Sequence, residues 1–455
     1  MEMVLEFLRD VLSQPALLIG IMSCIGLIAL KRPFHKIMTG TLKPILGYLM
    51  LAAGAGVIVS NLDPLGKMIE HGFHITGVVP NNEAIVAVAQ KVLGVETMSI
   101  LVVGLLMNLC IARFTKFKYV FLTGHHSLFM ACLMSAVLGT AGLSGMELIL
   151  VGGFLMGAWS AISPAIGQSY TSKVTEGDEI AIGHFGSLGY YLSAWVAKYV
   201  GKADDSTEDI EIPEKWGFLR DSTLSTALTM IVFYLIAAFA AGSEFVATLS
   251  GDMSPYLYAV MSAMNFAVGV TIVYSGVRMI LGDLIPAFQG IATKIIPNAI
   301  PAVDCAVFFT YAPTAVVLGF LSSFIGGIIG MLILGAVGGV LIIPGLVPHF
   351  FCGATAGIYG NATGGRRGAA VGAFLNGLAI TFLPALALPV LGQLGFQNTT
   401  FGDADFAVMG LVLGHAFEWI GMAGIYGIVA IAALVLIIPN FIKTKGKVIN
   451  YVEEE

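Results

Sequence analysis

Charge is what this chain has least of. Asp, Glu, Lys and Arg make up 11% of its 455 residues, while 57% are hydrophobic. Soluble domains carry about 25% charged residues, so this composition, with a mean hydropathy of +0.90, excludes a soluble globular protein. A secretory leader is also missing. The first apolar run follows Glu2, Glu6, Arg9 and Asp10 in place of a basic region, and no small-residue cleavage site comes after it, so it is expected to remain as a span. No G-x-x-x-x-G-K-[ST] phosphate loop occurs, which excludes transport driven by a P-loop ATPase. Cysteine is scarce: Cys24, Cys110, Cys132, Cys305 and Cys352 lack paired metal-ligand spacing and read as small core residues. The net charge of −6 is set by "ADDSTEDIEIPEK" and the terminal "EEE", so nothing suggests nucleic acid. No cofactor or metal is implied.

Long apolar runs are what the chain has in abundance. Crossing ~30 Å of hydrocarbon takes about 20 apolar residues. Runs at 12–30, 45–62, 98–112, 148–167, 222–242 and 254–281 qualify, and the almost unbroken stretch 299–441 holds several more. Basic residues cluster at Lys31, Arg32, Lys36 and Lys43, at Arg113, Lys116 and Lys118, and at Lys443, Lys445 and Lys447. By the positive-inside rule these loops are cytoplasmic. The N-terminus is then outside, the C-terminus is cytoplasmic, and an odd number of crossings, about eleven, is expected. The polar stretch 168–222 is expected to be an extramembranous or interfacial connection, with Trp216 and Phe218 at headgroup depth.

Two halves repeat weakly. "PILGYLMLAAGAGVI" (Pro44–Ile58) and "MILGDLIPAFQGIAT" (Met279–Thr293) share an I-L-G start. Each leads through a Pro-containing polar segment into a new apolar span, and later to a histidine within apolar residues, in "FLTGHHSLFMA" and "GLVPHFFCGATAG". Such a pattern predicts inverted repeats whose broken helices meet near the bilayer midplane. Backbone groups freed at those breaks must be buried in protein or face a water-filled cavity. Glycines such as Gly54, Gly56, Gly353 and Gly357 stand beside the expected breaks; close helix packing is the plainer reading for any one of them.

Ionisable groups within spans cost a few kcal/mol and mark functional positions. His125 and His126 adjoin Gly124 and Thr123, which suits the tip of a re-entrant hairpin; a neutral imidazole offers one donor and one acceptor to a hydroxylated ligand. His184 stands between Gly183 and Gly186 in "AIGHFGS". Asp304, in "IPAVDCAVFF", is an isolated acid able to accept from two ligand hydroxyls or to carry a proton or sodium ion, and Glu83 in "PNNEA" takes the matching place in the first half. Each of these histidines has a plainer reading as a packing or interfacial residue.

With "LAAGAGV", "FLTGH", "AIGHFGS", "IPAFQGI", "IPAVDCAVFFTYAPTAVVLGF" and "IIPGLVPHFFCGATAGIYGNATGG", nearly the whole chain resembles the membrane subunit, enzyme IIC, of the bacterial phosphoenolpyruvate-dependent sugar phosphotransferase system (PTS) in its ascorbate branch. The resemblance implies an all-α polytopic protein of about eleven transmembrane helices in the bacterial inner membrane. It also implies a homodimer with V-motif parts at 1–80 and 222–297, core parts with two re-entrant hairpins at 81–221 and 298–445, and a cytoplasmic tail at 446–455. The implied substrate contacts are Gly54, Asn82, His125, His184, Asp304, Ala354 and Thr355. Ascorbate carriers hold glutamines where this chain has Phe129 and the segment Phe185, Gly186 and Ser187, so these positions mark specificity for L-ascorbate or a related sugar acid or polyol. The family's substrate is phosphorylated by a cysteine on a IIB subunit charged from a IIA subunit. No C-x-x-G-x-G pattern follows any cysteine here, which makes IIA and IIB separate partners. Read from the residues alone, a proton- or sodium-coupled secondary transporter is the alternative.

Overall fold

The computed structural model describes residues 11, 14–74, 77–78, 80, 82–177, 179–210, 222–392 and 400–441. It is mostly helical. The helices in chain order are α1 (Pro15–Ala29), α2 (Phe34–Phe73), α3 (Asn82–Phe114), α4 (Gly124–Thr140), α5 (Gly145–Thr175), α6 (Ser187–Val200), α7 (Ser222–Ala241), α8 (Ser243–Ser250), α9 (Pro255–Lys294), α10 (Pro313–Ala336), α11 (Leu346–Gly392), α12 (Ala404–Ile420) and α13 (Met422–Phe441). Among the described residues seven helices are long and apolar enough to cross a membrane, or eight if α7 and α8, bent by 117° at Gly242, form one span. Trp216, Phe218 and the basic tail lie outside the described residues, as does the side chain of Glu83.

Helices α1, α2, α7 and α9 pack on one another, and α3, α4, α5, α6, α10, α11 and α12 form a second packed group. The first group is centred on two 40-residue helices, α2 and α9. Gly47 faces Gly276 and Gly54 faces Gly269: a Cβ on Gly54 would stand 2.7 Å from the Gly269 carbonyl oxygen, and one on Gly276 2.6 Å from that of Gly47. Numbering rises along one helix as it falls along the other, so the pair is antiparallel. Lipid tails are as apolar as leucine, and helices in a bilayer gain contact mainly where small residues let backbones approach. The register therefore follows these glycines.

The expectation of a purely helical chain needs one correction. Strands β1 (Tyr119–Phe121), β2 (Ala181–Ile182) and β3 (Ile300–Val303) form a parallel sheet in the order β1-β3-β2. A separate parallel bridge joins Val78 to Ile342. Side chains bond to backbone groups at both outer edges of the sheet. Asn108 of α3 donates to the Tyr119 carbonyl and accepts from the Phe121 N–H at 3.1 and 3.0 Å, and Gln168 of α5 donates to the Ile180 carbonyl at 3.1 Å. With these partners, extended backbone is tolerated deep in an apolar protein.

Within the segment expected to be a connection, residues 168–200 carry the end of α5, β2 and α6, which are largely buried in the protein because their tyrosines and serines bond inward: Tyr191 donates to the Ser163 carbonyl and Ser193 to that of Ala356. Among its described residues only 201–210 reads as a surface loop, and it is tied down. The Glu208 carboxylate accepts from the Thr314 and Ala315 N–H groups at the start of α10, and the Asp205 carbonyl accepts from the Arg366 N–H where α11 breaks at Gly364 and Gly365.

Gly54→Ala is expected to lower the thermal unfolding midpoint of the detergent-solubilised protein, by overpacking that costs about 1–3 kcal/mol. Gly56→Ala, whose Cβ would meet nothing within 4 Å, is expected to leave the midpoint unchanged or raise it. Equal midpoints for the two variants would show that the glycine crossing does not set the helix pairing.

Candidate functional site

Each strand of the small sheet delivers one ionisable residue just past its C-terminal end. β1 leads through Leu122 and Thr123 into α4, whose second residue is His125; β2 leads through Gly183 to His184; β3 ends directly before Asp304. The strands are parallel and in register, Phe121 and Ala181 both opposite Ala302, so all three residues emerge on one side. Gly183 is required there: a Cβ would stand 2.4 Å from the Ala302 carbonyl oxygen, while the Gly183 N–H donates to the Val303 carbonyl at 2.7 Å.

These residues line a cavity of about 1300 Å³, whose lining also includes residues of α2, α7 and α10. Asp304, 7% exposed, caps the short 3-10 helix Cys305–Thr310 by accepting from the Ala306 N–H through Oδ1 at 3.0 Å. Its Oδ2 lies 3.4 Å from His125 Nε2. The other ring nitrogen of His125, Nδ1, is 3.2 Å from the hydroxyl of Tyr48 on α2. A carboxylate only accepts, so the facing Nε2 carries the proton and Nδ1 accepts from Tyr48.

A second set adjoins the first. The rings of His126 and His184 have centroids 3.8 Å apart. Asp403 accepts from the Cys352 thiol at 2.8 Å and from the Asn82 side-chain amide at 2.6 Å, with His184 Nδ1 4.0 Å away. His126, His184 and Asp403 place potential ligand atoms within 4.8 Å of one another, as do His184, Asp304 and Cys305. A metal-bound histidine ordinarily donates its second ring N–H to an acceptor. Here backbone donors occupy Nδ1 of both rings, Phe185 N–H on His126 at 3.3 Å and Gly186 N–H on His184 at 3.2 Å. Both rings thus keep their proton on Nε2. The set of N–H donors and carboxylate acceptors suits hydroxyl groups better than a metal ion.

The other expected contacts are distributed differently. Asn82 lines the cavity, but its carbonyl accepts from the Gly402 N–H and its amide is bound to Asp403. Phe129 also lines it. Phe185 is fully buried and stacks on Phe121 with centroids 4.6 Å apart, away from the lining. Gly186 packs against Tyr190 and Cys352. Ala354 and Thr355 are buried within α11, and Thr355 donates to the Phe351 carbonyl. Gly54 belongs to the α2–α9 crossing. Sequence reasoning passed over Tyr48 and Asp403. Asp403 carried a usable signal, two acids in "GDADF" directly before an apolar run; Tyr48 sits in an ordinary helical context and carried none.

Residues 10–405 match the family described as PTS system sugar-specific permease component, EIIC-GAT. The chain belongs to this family. With its apolar helices, that makes it a multi-pass membrane protein. A relative described as the ascorbate-specific PTS system EIIC component of Mycoplasma pneumoniae is 28% identical over an alignment of 417 residues that covers 78% of this chain and 62% of that protein's length. In this EIIC chain Asp405, two residues past Asp403, ties the His184 loop to α12. Its Oδ1 accepts from the Leu188 N–H at 2.9 Å, and its Oδ2 from the Ser187 hydroxyl at 2.8 Å and the Trp159 indole at 3.3 Å.

Asp405→Asn turns an amide donor toward at least one of these donors. Leaving buried groups unpaired costs about 1–3 kcal/mol. A lower unfolding midpoint and faster amide exchange across 183–188 are expected, read by hydrogen exchange with mass spectrometry. Exchange at the wild-type rate would show that Asp405 does not hold the loop.

Proposed function

We propose that this chain is the membrane permease subunit of a phosphoenolpyruvate-dependent phosphotransferase system. It carries L-ascorbate or a related sugar acid or polyol, which a separate IIB subunit, charged by IIA, phosphorylates on the cytoplasmic side. One observation carries this reading: His125, His184 and Asp304 converge from three parallel strand ends on one cavity in an EIIC-family chain. The arrangement supplies N–H donors and carboxylate acceptors, which is what a compact polyhydroxylated ligand requires. The name of the Mycoplasma relative is the reason for putting ascorbate first.

The same reading holds eleven crossings in two inverted repeats, with the N-terminus outside and the tail in the cytoplasm. Support for the repeats comes from the antiparallel glycine pairing of α2 with α9, and from two parallel strand pairings, β1 with β3 and Val78 with Ile342. Grouping of α1, α2, α7 and α9 apart from the other helices supports a V-motif domain of 1–80 and 222–297 beside a core of 81–221 and 298–445. In a homodimer joined through the V-motif, the core moves against that fixed part and presents the cavity to either side in turn.

Asp304→Asn keeps the side-chain volume but exchanges a charged double acceptor for an amide. Uptake by the reconstituted variant together with IIA and IIB should fall at least tenfold, a loss of about 1.4 kcal/mol or more in binding, while the protein still elutes as a folded dimer. Wild-type uptake by that variant would remove Asp304 from the site. Uptake should also depend on phosphoenolpyruvate and yield a phosphate ester. Accumulation of unmodified ascorbate in vesicles without the partners, abolished by an ionophore, would instead establish an ion-coupled carrier. Phe129→Gln, which restores an amide at the cavity wall, should strengthen ascorbate binding in calorimetry; unchanged or weaker binding would exclude Phe129 from specificity.

A further inference from the structure

Tyr48 belongs to α2, in one helix group, and His125 to α4, in the other. Their contact bridges the two groups at the cavity. Tyr48 is 7% exposed, and its neighbour Gly47 is wedged against α9, where a Cβ would stand 2.9 Å from both the Gly276 carbonyl oxygen and the Ile280 nitrogen. The phenol is therefore carried on a tightly packed point of the α2–α9 pair. Its hydroxyl meets His125 Nδ1 at 3.2 Å, while His125 Nε2 faces Asp304 Oδ2 at 3.4 Å.

We propose that Tyr48 is a positioning residue for His125: its hydroxyl, acting on Nδ1 while the Asp304 carboxylate acts on Nε2, holds the imidazole in place as the Nε2–H tautomer, aimed at Asp304 and the ligand, in only one of the arrangements of α2 against α4. Partners inside their own helix group do this work for the neighbouring rings. Phe185 N–H donates to Nδ1 of His126, and Gly186 N–H and the Tyr190 hydroxyl meet Nδ1 of His184, so those rings keep their partners however the groups are placed. His125, with 38% of its side chain exposed, has no such backbone partner among the described residues and takes its donor from across the boundary. When the α4 group shifts along α2, the Tyr48 bond parts and Nδ1 is released. The ring is then free to rotate or to exchange tautomer, and the site loses a fixed donor. Ligand affinity is thereby higher in the arrangement that keeps the bond. This coupling rests on the reading of His125 as a ligand contact; the tautomer control does not.

The test is Tyr48→Phe in the full chain, which removes one oxygen and preserves the ring. Histidine labelled with ¹⁵N, assigned by comparison with His125→Gln, reports the tautomer in detergent-solubilised protein without any ligand. The wild type is expected to show His125 with an unprotonated, hydrogen-bonded Nδ1, and Tyr48→Phe to show a shifted Nδ1 signal or a mixture of tautomers, while His126 and His184 stay unchanged. L-Ascorbate titrated into the same samples should bind the variant about five- to tenfold more weakly, the usual effect of losing one hydrogen bond. An unaltered His125 signal in Tyr48→Phe overturns the proposal. Altered tautomers with equal ascorbate affinity overturn the coupling to ligand binding. If the wild type itself fails to bind ascorbate, the substrate reading falls, and the tautomer comparison still decides the role of Tyr48.

Discussion

Backbone that leaves the helix inside a bilayer protein has no water to bond, and the hydrogen bonding of β3 to β1 on one side and β2 on the other answers that constraint. Everything at the cavity end depends on it. Parallel pairing lets three chain segments from distant parts of the sequence end side by side, and a residue just past each end can then point at a common space. Asn108 serves as the missing outer strand beside β1, and Gln168 binds the Ile180 carbonyl just before β2.

The α2–α9 pair obeys a different rule. Its contact is fixed by glycine against glycine, where backbones approach to within a Cβ diameter. A rigid pair of long helices thus faces a group held by strand pairing and side-chain amides. Tyr48 is the polar side chain that spans the gap to His125.

The segment Asp403–Asp405 joins the remaining pieces. Asp403 holds Asn82 at the start of α3 and Cys352 in α11, while Asp405 caps α6 and reaches Trp159 in α5. Two carboxylates in three residues are costly in such surroundings unless their acceptors are filled, and the hydrogen bonds here fill them. Asn82 is consumed in the same network: it orders the cavity lining through Asp403 and the Gly402 N–H.

The sequence by itself determined that this chain lives in a membrane, because 11% charge cannot cover a protein in water. It also singled out His125, His184 and Asp304, since an ionisable group in an apolar run is expensive enough to be conspicuous. It could not reveal that residues 168–200 of the polar segment pack inward, because a serine or tyrosine looks alike whether it meets water or a buried carbonyl such as that of Ser163 or Ala356. Nor could it separate a packing glycine from an open one: Gly54 and Gly56 are near neighbours, yet a Cβ on the first would abut Gly269 and one on the second would meet nothing within 4 Å. The parallel strands are too short to show a period, and the role of Tyr48 exists only because α2 happens to pass α4. Those matters are set by which backbones come within hydrogen-bonding or van der Waals reach, and tertiary structure alone decides that.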